Sequence, residues 1–135
     1  MGSAVHKHAV ENGYSVVREI GGHGVGVEFH EDPWVSFVSE ENTGVLMVPG
    51  MMFTIEPMVN MGSDEIYTDE IDEWTVRTED GLPSAQWEVT VLVTETGCEV
   101  NLLVKNLQKV LQYIRLYSII TTVVKKDGPL LQDMY

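Results

Sequence analysis

Two glutamates and two histidines are the residues best suited to chemistry in this chain. Glu56 stands in Phe53-Thr54-Ile55-Glu56-Pro57-Met58 and Glu88 in Gln86-Trp87-Glu88-Val89-Thr90-Val91, each a carboxylate in a strand-like run of mostly apolar neighbours. A carboxylate taken out of water is costly unless it is paired, hydrogen-bonded or bound to a cation. Two that face the same way therefore require a metal or a shared proton, whereas a single Glu in a strand is more simply read as part of a solvated face. His23, hemmed in by glycines in Gly21-Gly22-His23-Gly24-Val25-Gly26, adds an imidazole, and His30 follows beside Glu31. One imidazole nitrogen with two carboxylates makes a mixed nitrogen and oxygen set suited to a hydrolytic divalent ion such as Mn, Fe(II), Co or Zn. The intervals, 33 residues from His23 to Glu56 and 32 from Glu56 to Glu88, match no short motif by themselves.

Other clusters carry less. His6 and His8 are two apart, so on a helix they point in different directions and read as surface residues. Met47, Met51, Met52 and Met58 lie in strand-like runs where core packing is the common role. The glycine run fails the dinucleotide-binding pattern, since counting from Gly22 and Gly24 the third place is Val27. The acids from Asp64 to Glu73 lack calcium-loop spacing and read as a solvated loop.

The elements that must position these groups are mainly strands. Ser3 as N-cap and Gly13 as terminator predict a short helix over Ala4–Asn12. Tyr14–Ile20 is rich in β-branched residues and predicts a strand, with the glycine run after it as a loop of tight or unusual geometry. An element over Gly44–Val48 precedes the turn Pro49-Gly50, and Met51–Val59 then alternates. Met51, Phe53 and Ile55 share one face of that strand and Met52, Thr54 and Glu56 the other. Trp74–Thr78, the turn Glu79-Asp80-Gly81 and a long strand over Ser84–Thr94 follow, the last with Gln86, Glu88 and Thr90 on one face. From Asn101 the pattern changes: Leu103, Leu107, Val110, Leu111 and Ile114 recur at helical spacing and predict a helix to about Tyr117.

At 135 residues the chain has the length of one ordinary domain. Its net charge of −13 argues against nucleic acid or an anionic membrane as partner. Residues 1–100 hold 19 acids against 3 bases and residues 101–135 hold 2 acids against 5 bases, which places a composition break near residue 100. Cys98 is the only cysteine, so an intrachain disulfide or a cysteine-based zinc cluster is ruled out and a reducing, cytoplasmic setting is expected. The amino terminus lacks an apolar run of signal-peptide type, and the most apolar segment, Ile114–Val124, is too short and polar for a membrane span.

Taken in order, Gly22-His23-Gly24-Val25-Gly26, Phe29-His30-Glu31-Asp32-Pro33, Pro49-Gly50-Met51, Phe53-Thr54-Ile55-Glu56-Pro57-Met58 and Ser84-Ala85-Gln86-Trp87-Glu88 closely resemble type I methionine aminopeptidases. The resemblance spans about residues 3–100, and the Phe29-His30-Glu31 and Gln86-Trp87-Glu88 contexts favour that enzyme over a proline dipeptidase of the same fold. It implies an α/β (α+β) architecture of the pita-bread type, a curved antiparallel sheet with flanking helices, of which residues 1–100 are the carboxyl-terminal half and residues 101–135 an unmatched tail. By position it implies that His23 is an imidazole metal ligand, Glu56 a terminal carboxylate ligand and general base, and Glu88 the carboxylate bridging two metals. His30 would contact the scissile peptide, and Phe29 and Trp74 would line the methionine side-chain pocket. The implied reaction is removal of the N-terminal methionine of nascent polypeptides by metal-activated water. Two further metal-binding aspartates and another active-site histidine belong to a first half that would precede Met1. The complete site holds two divalent ions, and His23, Glu56 and Glu88 alone are expected to hold at most one. The alternatives are an inactive remnant or interaction module, or a chain that self-associates or pairs with a separate first half across the exposed edge.

Overall fold

The computed structural model describes residues 1–101. The helix expected from Asn101 to about Tyr117 lies, beyond Asn101 itself, outside the described residues, as does the rest of the tail. Helix α1 (Gly2–Glu11) begins two residues earlier than expected, so Ser3 lies inside it and Met1 is the N-cap, its carbonyl accepting from Ala4 and Val5. Gly2 suits that start because a Cβ there would stand 2.3 Å from the Ser36 carbonyl oxygen. The helix ends as its sequence dictates. Gly13, at φ +79°, closes it while its N–H and that of Tyr14 reach back to the carbonyls of Val10 and Ala9.

Ten strands follow: β1 (Ser15–Val16), β2 (Gly22–Gly24), β3 (Glu31–Val35), β4 (Met52–Ile55), β5 (Met58–Asn60), β6 (Ile66–Thr68), β7 (Val76–Thr78), β8 (Ser84–Gln86), β9 (Val89–Thr94) and β10 (Gly97–Asn101). They form an antiparallel five-stranded sheet ordered β10-β9-β4-β2-β3, an antiparallel three-stranded sheet ordered β1-β5-β8, and the hairpin β6-β7. The core lies against the first sheet, where Phe53, Ile55, Val89 and Val91 meet Val5 and Ala9 of α1 together with Val16 and Phe37. Val5 and Ala9 are four apart and so share one helix face. The face expected to hold Phe53 and Ile55 is this core face, and both are 5% exposed.

Several predicted elements change form. Gly22–Gly24 of the glycine run is strand β2 rather than loop, and these glycines serve close approach rather than unusual dihedrals. A Cβ at Gly22 would stand 2.4 Å from the Thr54 carbonyl oxygen and one at Gly24 2.1 Å from that of Asp32. Only Ser15–Val16 of the expected strand Tyr14–Ile20 pairs. Gly44–Val48 is an exposed loop, although the turn after it is as expected, with Gly50 at φ +92° and the Met51 N–H bonded to the Val48 carbonyl. Strands β3, β6 and β10 were not anticipated: β6 falls within the acidic stretch from Asp64 to Glu73 that was expected to be a solvated loop, and β3 and β10 are edge strands of the five-stranded sheet, where an edge tolerates the Asp32-Pro33 of β3. Where helices were expected to flank the sheet, α1 is the one helix among the described residues.

The two long strands of the sequence are each divided, β4 from β5 at Glu56-Pro57 and β8 from β9 at Trp87-Glu88. Pairing on one side of the gap ends at Ile55↔Val89 and on the other resumes at Met58↔Gln86, in the same register. The two strands are therefore one antiparallel ribbon that leaves one sheet and enters the other. Its ladder lapses at Pro57, which has no N–H to donate.

Candidate metal centre

Continuous register across that gap sets Glu56 directly opposite Glu88, and opposite residues of an antiparallel pair project from the same face. Like charges so placed repel unless something lies between them. The third member comes from β2. Gly24 pairs with Phe53, which brings His23 across from Thr54 and two residues along from Glu56 on the same face. One ligand atom each from His23, Glu56 and Glu88 falls within 4.8 Å of the others. His23 and Glu56 are mostly enclosed, at 15% and 14% side-chain exposure, and Glu88 is exposed. The expectation that both carboxylates are buried mid-strand thus holds in part for Glu56 and fails for Glu88. Each stands at a break in the ladder, and no described element covers the Glu88 side.

The donors are oriented before any ion enters. His23 Nδ1 lies 2.9 Å from the Gly24 carbonyl oxygen, which can only accept, so Nδ1 carries the hydrogen and Nε2 presents its lone pair. That Nε2 is 3.5 Å from Glu56 Oε1. The Thr54 hydroxyl donates to the same Oε1 at 2.6 Å and accepts the His23 backbone N–H at 2.9 Å. Gln86 Nε2 donates to the Glu56 carbonyl at 3.1 Å and stands 3.4 Å from Oε2. Thr54 and Gln86 were recognised in the sequence only as face-sharing neighbours of the glutamates. The signal for the role of Thr54 was there, since it lies two residues before Glu56 and so projects from the same side, whereas Gln86 reaches Glu56 from the other strand and only the pairing reveals it.

Three electron-rich groups converging without a counter-charge fit a cation. Of the three basic residues in the described part, Arg18 pairs with Asp64, Arg77 with Asp69, and Lys7 is exposed on α1. A nitrogen with two carboxylates is a donor set for Mn, Fe, Co or Zn. The Thr75 hydroxyl, with the N–H groups of Thr75 and Trp74, takes Asp72 down to about 2, and Arg18 lowers Asp64.

Two aromatic residues stand beside His23. The connection from β2 to β3 carries Phe29 and His30, whose rings meet edge to face at 4.6 Å, with the His30 ring 4.2 Å and the Phe29 ring 5.7 Å from that of His23. Both side chains are exposed, Phe29 at 68%. Trp74 lies on the connection between β6 and β7 and is 84% exposed, so His23, Phe29, His30, Glu56 and Glu88 are gathered and Trp74 projects from a separate loop.

Residues 1–95 match metallopeptidase family M24. The chain belongs to that family. It is 51% identical over 100 residues to the methionine aminopeptidase of Escherichia coli strain K12, covering 74% of this chain and 38% of that one. Its fold superposes on the crystal structure of methionine aminopeptidase from Rickettsia prowazekii with a TM-score of 0.72 at 41% identity, over 73% of this chain and 40% of the other. The Thermotoga maritima methionine aminopeptidase structure gives 0.71 at 39% identity, over 73% and 39%. The resemblance and the strand-rich fold expected from the sequence are therefore those of its relatives. The chain spans about two fifths of the length of each of these three proteins.

Proposed function

We propose that this chain supplies the metal-holding, carboxyl-terminal part of a methionine aminopeptidase, with His23, Glu56 and Glu88 as ligands to a divalent ion. The observation that carries the reading is the cross-strand meeting of Glu56 and Glu88 beside an imidazole whose tautomer turns its lone pair inward. The M24 match and the relatives named methionine aminopeptidase support hydrolysis of the bond after an N-terminal methionine as the reaction. A bound Mn, Co, Fe(II) or Zn ion supplies an acidified water and a polarised carbonyl. Glu56 is the general base. The Thr54 hydroxyl and the Gln86 amide hold its carboxylate in place to take the proton of the attacking water. His30 meets the peptide being cleaved from the open side of the site and Phe29 borders the methionine side chain; for Trp74, on its separate loop, a place in that pocket rests on the resemblance alone. The cytoplasm is the setting in which nascent polypeptides would be met.

A second reading is favoured by the coverage of its relatives. A chain spanning 38% of the curated relative, with one carboxylate of the site exposed, can hold an ion without turning over substrate until a complementary half joins it. The test is release of free methionine from a Met-Ala-Ser peptide with added Mn, Co or Fe(II), run beside Glu88→Ala and a chelator. Metal-dependent release lost in the variant supports the enzyme. Ion binding lost in the variant without release supports the second reading, and no ion binding at all refutes both.

A further inference from the structure

We propose that Thr54 is a positioning residue that sets the metal ligands in place before an ion arrives. The inference rests on the reading of His23, Glu56 and Glu88 as ligands and adds to it a group that does not itself touch the ion. Thr54 is 1% exposed, in the central strand β4, beneath the site face. A hydroxyl has one hydrogen to give. It lies 2.6 Å from Glu56 Oε1 and 3.4 Å from the His23 carbonyl oxygen, so the shorter contact to the charged acceptor takes it. The oxygen simultaneously accepts the His23 N–H at 2.9 Å. One buried atom thus ties the backbone that carries the imidazole to the carboxylate beside it and holds Nε2 and Oε1 3.5 Å apart. Two flanking features keep that link in register: Gly22 lets β2 approach Thr54, and Gln86 anchors the Glu56 carbonyl from the other strand.

Hydrogen bonds behind a metal ligand typically change affinity by about 10–100-fold when removed. Thr54→Val keeps the shape of the side chain and deletes the hydroxyl, and Thr54→Ser keeps the hydroxyl and deletes the methyl. Titrating Co2+ into the full chain, followed by calorimetry and by the visible ligand-field spectrum, should show affinity falling about 10–100-fold with an altered spectrum in Thr54→Val. Thr54→Ser should recover affinity to within about threefold and restore the spectrum. A merely structural threonine would lower the melting temperature in both variants and leave the Co2+ spectrum of the folded protein unchanged, which would overturn the proposal. Wild-type chain that binds no Co2+ would instead defeat the metal reading on which it rests. Should Thr54→Val not fold, NMR of the metal-free wild type decides: a slowly exchanging Thr54 hydroxyl proton and a single χ1 rotamer, both unchanged on adding Zn2+, are expected. Rotamer averaging before Zn2+ that ends after it would refute pre-positioning.

Discussion

Replacing Glu88 by Gln should invert the order of stability of wild type and variant according to whether metal is present. In the chelated protein Glu56 and Glu88 are opposite members of one ribbon, with their ligand atoms within 4.8 Å. Coulomb repulsion at that separation is about 1 kcal/mol in a water-like medium and about 3.5 kcal/mol at the effective dielectric of a protein surface. Glu88 is exposed, so solvent screening selects the lower figure. The amide keeps the shape and removes one charge, so Glu88→Gln should be about 1 kcal/mol more stable than wild type in chelator. With divalent ion at about 100 times the wild-type Kd, binding adds about 2.7 kcal/mol to wild type. A variant bound about 100-fold more weakly gains only about 0.4 kcal/mol at that concentration, leaving wild type ahead by about 1 kcal/mol. Urea denaturation of both proteins, in EDTA and in Mn2+, measures all four values. Loss of stability on Glu88→Gln in EDTA would show that the carboxylates do not oppose each other, and equal gains from Mn2+ would show that Glu88 is not a ligand.

Three further outcomes follow from the surroundings of the site. Gly24→Ala places a Cβ 2.1 Å from the Asp32 carbonyl oxygen, a backbone atom that cannot step aside, and should cost upwards of about 3 kcal/mol in urea denaturation together with most Mn2+ binding. Phe53→Ala empties a core position that is 5% exposed and should lose about 3–5 kcal/mol, read as a drop in the thermal midpoint. Asp72 is held at about 2, first by the Thr75 hydroxyl, so the support it gives the β6–β7 loop is fully present above about pH 4 and is lost as pH falls through about 2. Amide resonances of Trp74 and Thr75 should shift over that window in wild type and stay constant in Asp72→Asn.

Much of the site was legible because strand side chains repeat every two residues. That rule put Thr54 with Glu56 and Gln86 with Glu88 before any coordinates, and it separated the core face of Phe53 and Ile55 from the site face. The Pro49-Gly50 and Gly13 punctuation was equally readable, because a positive φ is a local demand that glycine meets at the least steric cost. The role of Gly22 and Gly24 was not readable in the same way. They look like loop glycines in sequence, and only the neighbouring strands, Thr54 on one side and Asp32 on the other, show that they are glycine because backbones pass close.

The sequence by itself determined the identity of the donors, the face each occupies and the motif order that links the chain to its family. Which strand lies beside which was settled by tertiary structure. The intervals of 33 and 32 residues acquire meaning only when β2, β4 and β9 become neighbours and an unbroken register carries Glu56 across from Glu88. Burial was decided there too, since solvent exposure depends on what packs over a face rather than on the residues within it. Glu56 is enclosed by His23, Thr54 and Gln86, which come from both neighbouring strands and its own, while Glu88, with an equally apolar sequence context, stands open.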